Sequence, residues 1–145
     1  MLTIIAGSRS AKRHHVIDGI SKCPWADQIT KVISGTAWGA DRWGETYAES
    51  QGIEVIRFPA EWDIYGMSAG PRRNKEMAEN ADSLIAIYDG TSRGTASMLR
   101  YAQQYGLKSF VYYFAEGRSE VKDFVRKPVQ SDMFSLIENR SYQYI

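Results

Sequence analysis

The chain is poor in the residues from which small proteins build covalent or metal staples. Its one cysteine, Cys23, leaves no internal disulfide and no cysteine-based zinc cage, and two histidines add too little for a structural metal site. No metal and no cofactor are therefore expected. There is no internal repeat and no low-complexity segment, and no apolar run approaches the ~20 residues of a membrane span. The stretch Met1–Gly7 lacks a basic leader and reaches glycine too early for a signal peptide, so a cytoplasmic location without a membrane partner is expected. Nor is there an excess of either charge: 18 Lys and Arg stand against 17 Asp and Glu, a net charge of +1. A broad basic surface for duplex nucleic acid is thereby excluded, although a compact anion site is not. Three nucleotide and hydrolase signatures are missing as well: Gly-x-x-x-x-Gly-Lys-[Ser/Thr], Gly-x-Gly-x-x-Gly after the first strand, and Gly-x-Ser-x-Gly.

What the 145 residues do contain is one domain's worth of alternating patterns. Short β-rich runs at Leu2–Ala6, Ile29–Ser34, Ile53–Phe58, Ser83–Tyr88 and Leu107–Phe114 read as strands. Between them lie helical patterns around His15–Ile20, over Ala40–Gln51 (ended by Gly52), over Pro71–Ala81 and over Thr95–Tyr105 (ended by Gly106). Strands separated by helices of this length imply βαβ units. The expected fold is α/β: a Rossmann-like parallel sheet of about five strands, flanked by helices on both faces. Residues 1–114 form this domain, and residues 115–145, charge-rich and broken by Pro128, read as a C-terminal extension with a short helix at Asp132–Asn139.

The residues that packing does not require cluster after the strands. There an open parallel sheet presents helix N-termini to ligands. Gly7-Ser8-Arg9 follows the first strand, and Gly35-Thr36-Ala37-Trp38-Gly39-Ala40-Asp41 the second. Trp62 and then Gly70-Pro71-Arg72-Arg73-Asn74 follow the third, and Asp89-Gly90-Thr91-Ser92-Arg93-Gly94-Thr95 the fourth. Glycines admit a close ligand, hydroxyls and arginines suit phosphate oxygens, and the tryptophans could stack on a base. Adjacent arginines at a positive helix end are unfavourable alone and are relieved by an anion. Among carboxylates, Asp41 and Glu45 share a helix face, and Asp89 and Glu76 also lie in or just after rim loops. His14, His15, Cys23 and the run Tyr112-Tyr113-Phe114 read as capping, surface or packing residues.

Five motifs in this order, Ile5-Ala6-Gly7-Ser8-Arg9, Ser34-Gly35-x-Ala37-x-Gly39-Ala40-Asp41, Phe58-Pro59-Ala60-x-Trp62, Ala69-Gly70-Pro71-x-Arg73-Asn74-x-x-Met77 and Ser92-Arg93-Gly94-Thr95, resemble the YspA-like (YpsA-related) branch of the SLOG superfamily. More distant kin are the Lonely Guy phosphoribohydrolases and the DNA-processing protein DprA. The resemblance spans about residues 2–114. It implies a nucleotide or nucleotide-derivative pocket at the strand ends, a homo-oligomer, and a bacterial or phage setting in which some members sense defence signals. Three departures stand out. Met98 takes the place of the glutamate that serves N-glycosidic cleavage in Lonely Guy enzymes. Thr36 and Trp38 replace the second glycine and the arginine of the usual second loop, and Ser10 replaces an acidic residue in the first.

The leading expectation is a binding module that senses or sequesters a phosphate-containing nucleotide signal. Arg9, Arg73 and Ser92–Thr95 would hold phosphate, and Trp62 or Trp38 would cover the base. The alternative is a nucleotide N-glycosidase or phosphoribohydrolase that uses Asp41 and Glu45 in place of the missing glutamate. A third is single-stranded DNA binding on rim tryptophans and arginines, which the near-neutral charge disfavours.

Overall fold

The computed structural model of the chain describes residues 1–124. The expected helix at Asp132–Asn139 lies outside them, as does most of the 115–145 extension. The sheet has six strands: β1 (Leu2–Gly7), β2 (Lys31–Ser34), β3 (Glu54–Arg57), β4 (Ser83–Tyr88), β5 (Lys108–Tyr113) and β6 (Arg118–Asp123). Their spatial order is β3-β2-β1-β4-β5-β6. The first five are parallel, and β6 returns antiparallel to β5 through the turn at 114–117. The fold is α/β and Rossmann-like, with six strands where the sequence pattern gave five. The sixth escapes a hydrophobicity reading because it is an edge strand of sequence Arg-Ser-Glu-Val-Lys-Asp, without an apolar run.

Residue period 2 divides the core between two faces. Ile5, Ile85, Ile87, Phe110 and Tyr112 point to one side, where α1 (Arg13–Lys22) and α2 (Ala40–Ser50) add Val16, Ile20 and Ala48. Ile4, Ile33, Leu84 and Val111 point to the other. There α4 (Ala69–Glu79) and α5 (Arg93–Gln104) add Met77, Met98 and Ala102. Burial on both faces is why the central strands β1 and β4 read as unbroken apolar runs rather than alternating ones.

Two segments depart from the sequence pattern near the strand ends. A short helix, α3 (Trp62–Tyr65), and a 3-10 turn at Gly66–Ser68 precede α4, and residues 61–68 are all exposed, so no amphipathic period announced them. Helix α4 starts at Ala69, two residues ahead of Pro71. Proline is accommodated there because the first-turn N–H groups have no intrahelical partner. At the start of α1, His15 Nδ1 accepts the Lys12 N–H at 2.9 Å while its ring stacks 4.2 Å from Phe114, so this histidine is a capping and packing residue.

Candidate ligand site at the strand ends

The strand order reverses direction between β1 and β4: the chain leaves β1 toward β2 on one side and later enters β4 on the other. This switch point opens a crevice beyond the carboxyl ends of the two strands. A cavity of about 710 Å³ lies there.

Its floor is fixed by the first loop. Gly7 has φ +155°, and a Cβ on it would lie 2.0 Å from the Ile87 carbonyl oxygen, so β1 can end here only in glycine. Ser8, 1% exposed, ties three loops together. Its N–H donates to Ile87 O (2.9 Å), its Oγ accepts the Asp89 N–H (2.9 Å), and its carbonyl accepts the N–H groups of Ala11 (3.1 Å) and Ala40 (3.2 Å). Ser8 thus builds the rim and is not part of the cavity wall, whereas Gly7, Arg9 and Ser10 are.

The loop after β4 is organised by its own side chains. Asp89 Oδ1 accepts the Thr91 and Ser92 N–H groups, each at 2.9 Å. Those backbone bonds hold its pKa below the ordinary carboxylate value. Ser92 caps α5: its Oγ accepts the Thr95 N–H (3.3 Å) and the Thr95 hydroxyl (3.0 Å). Two first-turn donors, the N–H groups of Arg93 and Gly94, then remain without a partner among the described residues, at the positive end of the helix dipole.

The opposite wall joins Asp41, Arg73 and Asn74. Asp41, 5% exposed in the first turn of α2, accepts the Ala37 N–H at 3.1 Å. Burial pushes its pKa up to about 6, and the Ala37 N–H and the Arg73 guanidinium only partly oppose this. Arg73 Nη1 donates to the Gly35 carbonyl and Nε to Asn74 Oδ1 (2.9 Å). Asn74 Nδ2 in turn donates to Gly94 O and Ser97 Oγ, both at 3.3 Å. One chain of hydrogen bonds therefore runs from the second loop across α4 to the first turn of α5. A Cβ at position 35 would lie 2.7 Å from Arg73 Nη1 and 2.8 Å from Asp41 Oδ2, so this convergence requires Gly35 to have no side chain.

Of the candidates, Gly7, Arg9, Asp41, Trp62, Gly70, Pro71, Arg73, Asn74, Asp89, Ser92, Arg93, Gly94 and Thr95 line the cavity. Ser8, Gly35, Thr36, Trp38 and Gly90 do not. Trp38, 66% exposed, lies under the Arg42 guanidinium (3.9 Å), and Arg72 packs on Tyr65 (4.2 Å), so of each tempting pair one member, Trp62 or Arg73, faces the cavity. Glu45, offered as a partner of Asp41, accepts from Ser34 Oγ (2.6 Å) and pairs with Arg57 (3.0 Å) instead of lining the cavity, and Glu76 lies outside it. The wall also holds Ala6, Ser10, Ala37, Met67, Met77, Ser97, Met98 and Arg100, none of which was among the candidate site residues. The signal for several of them is helical spacing: Ser97 and Met98 follow Gly94 by three and four residues, and Arg100 follows Arg93 by seven.

Among the described residues no cluster of His, Cys, Asp and Glu has a metal-site arrangement, and no helix is long and apolar enough to cross a membrane. Comparison with protein-family models, with curated proteins and with solved structures finds no match to this chain.

Thr36 stands in the left-handed region at φ +64°, where a β-branched residue is strained. Thr36→Gly is expected to raise stability by about 0.5–1 kcal/mol, the relieved strain exceeding glycine's entropy cost. A denaturant midpoint unchanged or lowered in the variant would show that the threonine side chain contributes packing that outweighs the strain.

Proposed function

We propose that the chain binds a nucleotide or nucleotide-derived, phosphate-containing small molecule in the switch-point cavity, as a sensor or sequestering protein. The observation that carries this reading is the mixed lining of the cavity. Trp62, Met67, Pro71, Met77 and Met98 supply apolar surface suited to a base, and Arg9, Arg93 and the open N–H groups of Arg93 and Gly94 supply donors suited to phosphate. The motif resemblance to YspA-like SLOG proteins supports the same reading, together with a cytoplasmic homo-oligomer and a phage or bacterial defence setting. Met98 lies where that resemblance puts a catalytic glutamate. A thioether offers no carboxylate to an oxocarbenium-like transition state, so binding without turnover is the first expectation.

One observation favours a second reading, a nucleotide N-glycosidase or phosphoribohydrolase. Asp41 is a buried carboxyl in the cavity wall with a pKa of about 6, suited to proton transfer near neutral pH. In that reading it acts without Glu45, whose carboxylate is engaged by Arg57 and Ser34.

Titration calorimetry with a broad panel of mono-, di- and cyclic nucleotides tests the proposal. At least one should bind, and Arg9→Gln should weaken it about tenfold by removing a charge-assisted contact. Absence of binding across the panel overturns the reading.

A further inference from the structure

The arginines of this protein divide by whether the fold already uses them. Arg57 pairs with Glu45 and Glu49, Arg118 with Glu116 and Glu120, Arg42 donates to the Thr36 carbonyl (3.0 Å), and Arg72 to Ser68 Oγ (3.2 Å). Arg9, Arg93 and Arg100 line the cavity and form no ion pair or hydrogen bond among the described residues. Neither acidic group of the wall forms an ion pair with them. Asp89 accepts backbone N–H groups, and Asp41 lies in the field of Arg73.

These three cations occupy two places. Arg9 and Arg93 stand at the strand ends beside the open first turn of α5. Arg100 stands on the same face of α5, seven residues or about 10 Å further along its axis, near the Tyr88 phenol at the end of β4. The backbone positions of Arg93 and Arg100 are therefore about two helical turns apart. A phosphate bound on the first-turn N–H groups of α5 lies about two turns from Arg100, beyond the reach of that side chain. Cations without an ionic partner at two places in one cavity fit a ligand that is anionic at two separate points.

The geometry points to a nucleoside carrying two separate phosphate groups: one held by Arg9, Arg93 and the first turn of α5, the other by Arg100. This rests on the nucleotide reading given above and names the class within it. Trp62 and Met67 of the wall are left for the base.

The test is calorimetry of the full chain and of Arg100→Gln with the 5′-monophosphates and the 3′,5′-bisphosphates of adenosine and guanosine. In the parent chain at least one bisphosphate should bind about tenfold or more tightly than its monophosphate. In Arg100→Gln that advantage should vanish while monophosphate affinity stays within about twofold. An unchanged melting temperature of the unliganded variant shows that its fold is intact. Equal affinity of the parent for both forms, or equal weakening of both by Arg100→Gln, overturns the two-phosphate assignment and leaves nucleotide binding standing. Failure of all four probes to bind overturns the two-phosphate assignment, and the nucleotide reading falls with it only when the broad nucleotide panel also fails to bind.

Discussion

At pH 8 the Asp41→Asn variant is expected to be more stable than the parent by on the order of 3 kcal/mol. The figure is the gap between the ordinary aspartate value of 3.8 and the folded value of about 6, taken at 1.36 kcal/mol per pH unit. The sign follows from which state holds the proton longer. The unfolded chain ionises Asp41 near pH 3.8, and the folded chain holds the proton until about pH 6, so folding loses stability as pH rises through that window. Asparagine keeps the acceptor for the Ala37 N–H without the buried charge, so the difference should shrink to within about 1 kcal/mol near pH 4. Paired urea titrations at the two pH values check this, and a variant no more stable at pH 8 would show that Asp41 is better solvated than its burial implies. The same variant separates the two functional readings. If the protein only binds, Asp41→Asn retains a ligand; if it cleaves an N-glycosidic bond, the variant retains the ligand and loses the cleavage.

Gly7→Ala should have the opposite and larger effect. The methyl group would have to sit 2.0 Å from the Ile87 carbonyl oxygen, the acceptor of the Ser8 N–H. Relief requires β1 and β4 to part at the centre of the sheet, a loss expected to exceed about 4 kcal/mol, much of the stability of an ordinary domain. Gly90→Ala is the comparison: Gly90 also has positive φ (+91°), but nothing lies within 4 Å of its Cβ position, so only the backbone strain of about 1–2 kcal/mol applies. Denaturant midpoints of the two variants measure the contrast. A Gly7→Ala protein as stable as Gly90→Ala would mean that the close β1–β4 approach is not required.

The parts of the site that were legible in the sequence are the loops after the strands, where turn residues and arginines concentrate. Gly7, Arg9, Ser92 and Gly94 fall in such loops and line the cavity, whereas Gly35, read as a ligand contact, instead makes room for Arg73 and Asp41. Each sits beside a strand end, so an alternating strand–helix pattern alone places them on one rim. The walls were less legible because they depend on how helices pack. Met77, Ser97, Met98 and Arg100 lie within α4 and α5 and reach the cavity only because these helices stand side by side across Asn74.

Trp38 and Trp62 show the same limit from the other direction. Both follow a strand and both are exposed, yet Trp38 is held outside by Arg42 while α3 brings Trp62 to the cavity. Nothing local distinguishes them. Helix α3 was invisible for a related reason: four exposed residues offer no apolar period, and Ile64 and Met67, 67% and 93% exposed, contribute nothing to the core. Edge strand β6 is recognisable only once β5 is there to pair with it.

The central claim, that the switch-point cavity holds a nucleotide, is tested most directly by incubating the purified chain with a mixed nucleotide pool, removing free ligand, and identifying by mass spectrometry what stays bound and what has changed. The account predicts retention of a phosphate-bearing nucleotide by the parent chain, reduced retention by Arg9→Gln, and an otherwise unaltered pool. A protein that emerges with no nucleotide bound and leaves the pool unchanged contradicts it.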